Sequence, residues 1–227
     1  MEALGQAKYQ VRFDWGAAGA DRVVPGAHVA VLVDALLFTT AAVVDAERRA
    51  VTDAPLPAGD PGDYAAPTLA GAPAVHAAGD AHAAALAASL GARGIDVLAA
   101  SLRNRAAVAD RILALQEQRG ERMVVAVIAA GEPVVADGAP RFSIEDQLTA
   151  GAVIDALVAL GLDHTSPEAA VACAAYEGLR NAVVHLIGAS GSGLELTAAG
   201  RRAEVRLATE RDVTSVVPSW QGGAFRG

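Results

Sequence analysis

Two uninterrupted apolar runs constrain the fold of this chain more than any other feature of its sequence. The stretches HVAVLVDAL (residues 28–36) and RMVVAVIAAG (residues 122–131) are short, rich in valine and almost free of polar residues. Such runs predict strands buried on both faces, which occur mainly in parallel sheets covered by helices. Two further strands are predicted over residues 9–15, which alternate like a half-buried strand, and over residues 95–101.

Helical patterns separate and follow these strands. Val108, Ile112 and Leu115, for example, recur at the spacing of one helix face. The predicted helices cover residues 39–49, 81–90, 102–118, 143–161 and 166–188. Strands that alternate with helices indicate right-handed crossovers, so the expected fold class is α/β, with a mostly parallel sheet in a three-layer α/β/α arrangement.

Length and composition favour a single domain over residues 1–227, with one irregular loop rich in proline, glycine and aspartate around residues 52–74. The net charge of −8 and the scattered basic residues argue against nucleic acid and favour a small ligand. No apolar stretch reaches the ~20 residues of a membrane-spanning helix, so we expect a cytoplasmic protein without a membrane partner. A homodimer is a possible assembly, and Cys173 is expected to be a core residue.

Polar side chains gather at the points where predicted strands end and helices begin. They are Asp34, Thr39 and Thr40 after one strand, Ser101, Arg103 and Asn104 after another, Gly131 and Glu132 after a third, and Glu145 and Asp146 at a helix start. Ligands of open α/β sheets bind outside these strand ends. Because clustered carboxylates are hard oxygen ligands of the kind that hold Mg²⁺, the pattern predicts a site for a phosphate ester.

Each of these residues also has a purely structural interpretation. Ser143 and Asp146 have the spacing of a capping box, and acids are favoured in the first turn of a helix. Thr39 and Thr40 can cap a helix, and Asn104 can complete the start of one. The glycine and serine cluster in residues 188–200 resembles a phosphate-binding turn, although such clusters more often end one helix and cap the next.

Several motifs together resemble a known family. VLVDALLFTTAAV, DVLAASLRNRAAVAD, VVAVIAAGE, EDQLTAGAVIDAL and VVPSWQGGAFR occur in this order along the chain. Their order and approximate spacing are similar to those of the 2-phosphosulfolactate phosphatases, the ComB family, over residues 9–48 and 95–226, and the opening YQVRFDWG resembles the actinobacterial branch. The resemblance implies an α/β phosphatase that uses Mg²⁺ to hydrolyse 2-phosphosulfolactate to 3-sulfolactate and phosphate.

The resulting hypothesis gives each residue a role. Asp34, Glu145 and Asp146 would gather Mg²⁺, directly or through waters, and Asp34 and Glu132 would act in catalysis. Thr39, Thr40, Arg103 and Asn104 would orient the small phosphorylated anion. We expect Asp34, Asn104, Glu132 and Glu145 to converge on one cleft.

The sequence departs from the family pattern at two places. Leu37 occupies a position where relatives carry arginine or serine, and HAAGDAHA (residues 76–83) places Gly79, Asp80 and Ala81 where relatives carry Asn-Gly-Ser or Asn-Gly-Thr. Lost donors lower the rate of phosphoryl transfer, so hydrolysis slower than in relatives with the full motif is expected. The alternative is a catalytically impaired ComB-like protein that binds a small anion or a protein partner.

Overall fold

Four parallel strands form the centre of the structure. The structure is a computed structural model, and it describes residues 2–52, 74–133 and 140–227. The described chain is α/β and 55% helical. Its main sheet has six strands in the order β1-β4-β2-β3-β7-β8. The strands of this sheet are β1 (Val11–Trp15), β2 (Val29–Val33), β3 (Asp96–Ala100), β4 (Val125–Ala129), β7 (Ser219–Gln221) and β8 (Ala224–Arg226). A separate antiparallel pair consists of β5 (Glu132–Pro133) and β6 (Pro140–Arg141).

Helices cover both faces of the sheet. Along the described chain they are α1 (Gly16–Val23), α2 (Phe38–Thr52), α3 (Ala74–Gly91), α4 (Arg105–Arg119), α5 (Ile144–Ala159), α6 (Pro167–Leu179), α7 (Val183–Gly188), α8 (Gly191–Ala198) and α9 (Arg202–Thr209). Short 3₁₀ helices span Glu2–Gly5 and Leu102–Asn104. None of the helices in the described ranges has the length and apolar character needed to cross a bilayer.

Alternation along the parallel strands divides the core into two layers. Val29, Val31 and Val33 of β2 pack with buried residues of α4, α5 and α6, whereas Ala30 and Leu32 pack with those of α1 and α3. Every residue of β2 is fully buried, which is why its sequence is an unbroken apolar run. The predicted three-layer α/β/α fold with a mostly parallel sheet is confirmed.

A third apolar cluster lies at the carboxyl end of the sheet. Leu36 and Leu37, which follow β2, pack there with Ile187 of α7, Leu196 of α8 and Val205 of α9. Helices α7 to α9 therefore form a cap over the loop that contains Asp34. This cap is the part of the fold that encloses the candidate site.

An antiparallel hairpin extends the sheet beyond β3. Strand β7 pairs with β3 and β8 pairs with β7, both in antiparallel orientation. The Trp220 ring lies over Gly91, where a Cβ atom would come within 2.5 Å of the indole. Phe225 contacts the rings of both Trp220 and Phe38 edge-on. Aromatic packing therefore holds the hairpin against the first turn of α2 and the last residue of α3.

The structure corrects two of the predicted elements. The single helix predicted over residues 166–188 is two helices, α6 and α7. The break follows Leu179, whose carbonyl accepts from the amide of Ala182 in a tightened last turn. Cys173 of α6 is buried against the sheet while Ile187 of α7 is buried under the cap, and one straight helix cannot reach both.

The predicted irregular segment around residues 52–74 lies mostly outside the described residues. Its described ends are helical, because Thr52 ends α2 and Ala74 begins α3. Helix α3 also contains residues 76–83, the stretch predicted to correspond to the Asn-Gly motif of relatives. The pattern-free sequence there concealed the first turns of a helix.

Replacement of Gly151 by alanine is expected to lower the free energy of unfolding by about 1–3 kcal/mol, because a Cβ atom at this position would lie 2.1 Å from the Ala172 carbonyl oxygen. This glycine lets α5 and α6 approach closely. Gly178→Ala is the matched control, since a Cβ atom there meets nothing within 4 Å and alanine favours a helix. Urea unfolding of both variants measures the difference, and a Gly151→Ala protein as stable as Gly178→Ala would contradict the packing described.

Candidate functional site

The carboxyl ends of β2, β3 and β4 lie side by side. Val33 is in register with Ala100 on one side and with Ala129 on the other. The loops that leave these three strands therefore start from one edge of the sheet. Asp34 stands in the first loop, Ser101 in the second and Gly131 in the third, and helix α5 begins beside them.

The side chain of Asp146 connects two of these loops. One of its carboxylate oxygens accepts a hydrogen bond from the amide of Ala35 at 2.7 Å, and the other accepts from the amide of Gly131 at 3.0 Å. The residue is 3% exposed. The side chain of Ser143 makes no capping bond at the start of α5, so the predicted capping box is not formed. Asp146 instead joins α5 to the loops after β2 and β4.

The surroundings of Asp146 oppose its ionisation. Burial in the protein interior raises the pKa of this carboxyl group to about 8, and the negative charges of Glu145 and Glu132 act in the same direction. The two backbone amides lower the pKa but do not offset the loss of hydration. Near neutral pH, Asp146 therefore holds a proton unless a cation binds close by.

Glu145 is a second buried acid at this edge of the sheet. It is 3% exposed, yet no hydrogen bond or ion pair to its carboxylate is formed within the described part of the chain. Thr149, one turn further along the same face of α5, is fully buried, and its hydroxyl has no partner there. A buried hydroxyl without a partner indicates a place for water or an ion. Glu145 and Thr149 are therefore the residues of α5 that could hold a water molecule or a hydrated cation.

Glu132 enters the site from β5 with its carboxylate held on one side. Its Oε2 atom accepts hydrogen bonds from the Arg141 guanidinium and from the Ser192 hydroxyl, the latter at 2.8 Å. Oε1 makes no hydrogen bond to any described residue. Ser192 belongs to α8, so the cap helices reach the acidic cluster. The carboxylate is thus oriented, with one oxygen available.

The hydroxyl groups of Thr39 and Thr40 are engaged with the backbone. The Thr39 hydroxyl accepts from the amide of Asp34 at 3.0 Å and lies 2.7 Å from the carbonyl oxygens of Asp34 and Ala100. The Thr40 hydroxyl donates to the carbonyl of Ala35 at 2.7 Å. Both threonines fix the loop after β2, and their predicted contact with substrate stays a prediction.

The side chain of Asn104 forms hydrogen bonds with backbone groups near the end of β3. Its amide oxygen accepts from the amide of Ser101 at 2.9 Å, and its amide nitrogen donates to the carbonyls of Ala99 and Val216. Together with Ser101 it forms a capping box at the 3₁₀ helix before α4. The side chain therefore joins β3 to the chain that leads into β7.

Arg103 lies between two carboxylates. Its guanidinium pairs with Glu47 of α2 at 2.8 Å and with Glu210, which follows α9. The side chain is 8% exposed. In this arrangement Arg103 joins α2 to the cap, and its predicted role in orienting a substrate anion is untested.

Asp34 directly follows β2 and is half-buried at the edge where Asp146 receives the amide of Ala35. The structure therefore places Asp34, Asn104, Glu132 and Glu145 at one edge of the sheet, while a shared cleft stays a prediction. No group of three potential direct metal ligands is found at this edge among residues 2–52, 74–133 and 140–227. Among the described residues, only Asp155, Cys173 and Glu177 form a group of three whose potential ligand atoms all lie within 4.8 Å, and Asp155 already pairs with Arg105.

Leu37 adopts a strained backbone conformation beside the site. Its φ angle is 100°, in the region that residues with a Cβ atom rarely occupy, at a cost of about 1–3 kcal/mol. Its side chain is nevertheless buried, 8% exposed, in the cluster beneath the cap. The cap packing therefore holds the loop of Asp34 in a conformation that it would not adopt alone.

Sequence reasoning missed Arg141 and Ser192, the two residues that hold Glu132. Arg141 lies at the end of β6, and Ser192 lies in the glycine and serine cluster of residues 188–200. The capping interpretation of that cluster is confirmed, because the Ser190 hydroxyl accepts from the amide of Gly193 at 3.0 Å at the start of α8. No local pattern distinguishes Ser192 from a surface serine.

The motif order, the fold and the acids at one sheet edge agree with a comparison to known families. The family model for 2-phosphosulpholactate phosphatase matches residues 17–223. The chain belongs to the 2-phosphosulpholactate phosphatase family. A comparison with curated protein sequences gave no match. The match with this phosphatase family includes every predicted site residue from Asp34 to Asp146 and also Ser192.

Proposed function

We propose that this protein is a Mg²⁺-dependent phosphatase that hydrolyses 2-phosphosulfolactate or a related phosphorylated hydroxy acid to the hydroxy acid and phosphate. The observation that carries the proposal is Glu145, a buried carboxylate without a described partner in a member of a phosphatase family. A carboxylate that leaves water without a counter-charge is costly. A divalent cation provides that counter-charge.

The charges of the site support a cation rather than a bare anion as first ligand. Asp146 interacts electrostatically with Glu132 and Glu145, and within the described residues Arg141 pairs with Glu132. A phosphate group would be repelled by these acids alone. Mg²⁺ usually binds through one or two carboxylates and keeps several waters, so Glu145, with Asp34 or Asp146 directly or through water, would suffice to hold it. Bound there, it would neutralise phosphate charge.

The residues of the chain would then perform the proton transfer. Glu132 keeps Oε1 available while Arg141 and Ser192 hold Oε2. Oε1 would accept the proton of the attacking water as its oxygen bonds to phosphorus, and the ester P–O bond breaks with a proton from solvent passing to the leaving oxygen. Arg141, which pairs with Glu132, would contact the phosphate oxygens from the same side.

A non-catalytic, anion-binding member of the family is the second candidate. The engaged side chains of Thr39, Thr40, Arg103 and Asn104 favour it, because each already has protein partners. Such a protein would bind the phosphorylated anion with Mg²⁺ but would release no phosphate. Phosphate release therefore separates the two candidates.

The test is release of inorganic phosphate from 2-phosphosulfolactate and from a panel of phosphorylated 2-hydroxy acids, with and without Mg²⁺. We expect turnover that requires Mg²⁺ and falls about a hundredfold or more in Glu145→Gln, which keeps the shape of the side chain but loses its charge. Glu121→Gln, the same change at an exposed residue, is the control and should retain full activity. Mg²⁺-independent turnover, or an active Glu145→Gln protein, would overturn the proposal.

Binding of the metal is also expected to stabilise the protein. A ligand that binds only the native state raises the free energy of unfolding by RT ln(1 + [L]/Kd). Thermal melts should therefore shift upward with millimolar Mg²⁺ in the wild type, and the shift should disappear in Asp34→Asn and in Glu145→Gln. Equal melts of the wild type with Mg²⁺ and with a chelator would count against the metal site, whatever the activity.

A further inference from the structure

A small cavity lies between α2 and the cap, next to the loop of Asp34. Its volume is about 130 Å³, and Leu36 and Leu37 line it together with Val44 of α2, Leu196 of α8 and Leu207 of α9. An engineered cavity of ~150 Å³ lined by similar side chains stays dry and binds benzene. The space is therefore suited to an uncharged group of roughly four to five carbon atoms.

Three of the polar residues of the cavity lie towards its mouth, whereas the buried Thr40 donates its hydroxyl to the Ala35 carbonyl. Arg48 is exposed, and Asp45 and Glu204 are half-buried, whereas Leu36 and Leu196 are at most 6% exposed. The lining has two carboxylates and one guanidinium, and the Glu204 carboxylate is paired with Arg201 at 2.6 Å. A sulfonate or carboxylate that entered would lose its hydration and face the apolar side chains of the cavity wall. The lining thus selects against a second anionic group.

Helix α8 connects the cavity with the proposed phosphate site. Leu196 in the cavity wall and Ser192 on the Glu132 carboxylate are four residues apart on one face of α8. From Leu36 the chain runs directly to Ala35, whose amide binds Asp146. Leu37, whose φ angle is 100°, follows Leu36 and also lines the cavity. The cavity and the proposed phosphate site therefore adjoin the same loop and the same helix.

We propose that this cavity binds the side chain of the substrate and that this side chain is a small branched alkyl group rather than a sulfonate. The inference rests on the proposed phosphatase function. It assigns the substrate to the phosphate monoesters of 2-hydroxy acids with an uncharged side chain. Leu37, Val44 and Leu196 would determine this specificity without taking part in the chemical step.

The comparison uses two substrates of nearly the same shape. In 2-phospho-4-methylpentanoate an isopropyl group replaces the sulfonate of 2-phosphosulfolactate. Because each buried methylene group favours binding severalfold, kcat/KM should be at least about tenfold higher for the alkyl compound. Ala41→Leu, which fills the cavity from α2, should remove this preference, whereas Ala42→Leu, on the same helix but outside the lining, should retain it. Val44→Leu is a second filling variant.

A binding measurement without turnover separates this inference from the proposed function. 2-Methylpropan-1-ol should shift the methyl resonances of Leu36, Leu37 and Leu196 in the wild type and in Ala42→Leu, but not in Ala41→Leu or Val44→Leu. If the alcohol binds in this way but neither ester is hydrolysed, the cavity is established and the phosphatase proposal fails. If the alcohol causes no shifts, or 2-phosphosulfolactate is the better substrate, the assignment of the cavity is wrong even though the protein is a phosphatase.

Discussion

Replacement of Asp146 by alanine is expected to lower the free energy of unfolding by about 3–5 kcal/mol. The change leaves the buried amides of Ala35 and Gly131 without acceptors, and each unsatisfied group costs about 1–3 kcal/mol. Asp146→Asn should cost less, because its single carbonyl oxygen still satisfies one amide. Asp110→Ala, at an exposed position of α4, is the control and should be close to neutral. Denaturant unfolding without metal compares the four proteins, and an Asp146→Ala protein as stable as the control would contradict the cross-link.

The raised pKa of Asp146 also predicts how stability depends on pH. The unfolded chain loses this proton near pH 3.8, while the native protein retains it until about pH 8. Between these values the native state binds more protons than the unfolded state, so the contribution to stability falls as pH rises from about 4 to about 8 and is constant above that range. In Asp146→Asn this slope should be absent, a difference of up to ~1.4 kcal/mol per pH unit. Unfolding in chelator across this range measures it, and parallel curves would show that the carboxyl group is ionised in the native protein.

The second large loss in the free energy of unfolding is expected when Arg103 is replaced. Its replacement by leucine leaves Glu47 and Glu210 partly buried without their counter-charge, and breaking such a pair costs about 3–5 kcal/mol when the partners are buried. Both acids are partly exposed, so the lower end of that range is expected. Arg111→Leu, at an exposed position of α4, is the control. Adding Glu47→Gln to Arg103→Leu should recover part of the loss.

The same variant tests the role that the sequence assigned to Arg103. If the guanidinium only joins α2 to the cap, the unfolding midpoint falls, and activity measured well below that midpoint falls little. If Arg103→Leu melts like the wild type but loses kcat/KM, the residue contacts substrate and the ion pairs described are secondary. The two readouts together decide between the structural and the substrate-binding assignment.

Local patterns were sufficient to predict the four parallel strands of the sheet. The runs around Val31 and Val127 are apolar at every position because both faces of β2 and β4 are buried, and this burial leaves a direct trace in the sequence. The hairpin of β7 and β8 left no such trace, because each strand has three residues and is only partly buried. The break between α6 and α7 was also hidden, since both helices are apolar on the side that faces the protein.

The polar contacts of the site depend on partners that are remote in sequence. Asp146 bonds to Ala35 across 111 positions, and Arg103 pairs with Glu210 across 107. The sequence alone shows only which residues are adjacent along the chain. It therefore predicts that Asp146 is a metal ligand or a helix cap. The location of the acids at one edge could be inferred from the order of strands and helices. Their individual partners could not, because they depend on how helices pack in three dimensions.

The antiparallel hairpin has a consequence for the chain as it leaves the ribosome. Until Ser219 to Arg226 have been synthesised, the outer edge of β3 has no hydrogen-bonding neighbour. At translation rates of about 5–20 residues per second, on the order of ten seconds separate the two segments. During that interval the nascent sheet exposes an apolar edge strand, which is a template for pairing with other chains. Other chains or a chaperone can therefore bind this edge of β3 until the hairpin pairs with it.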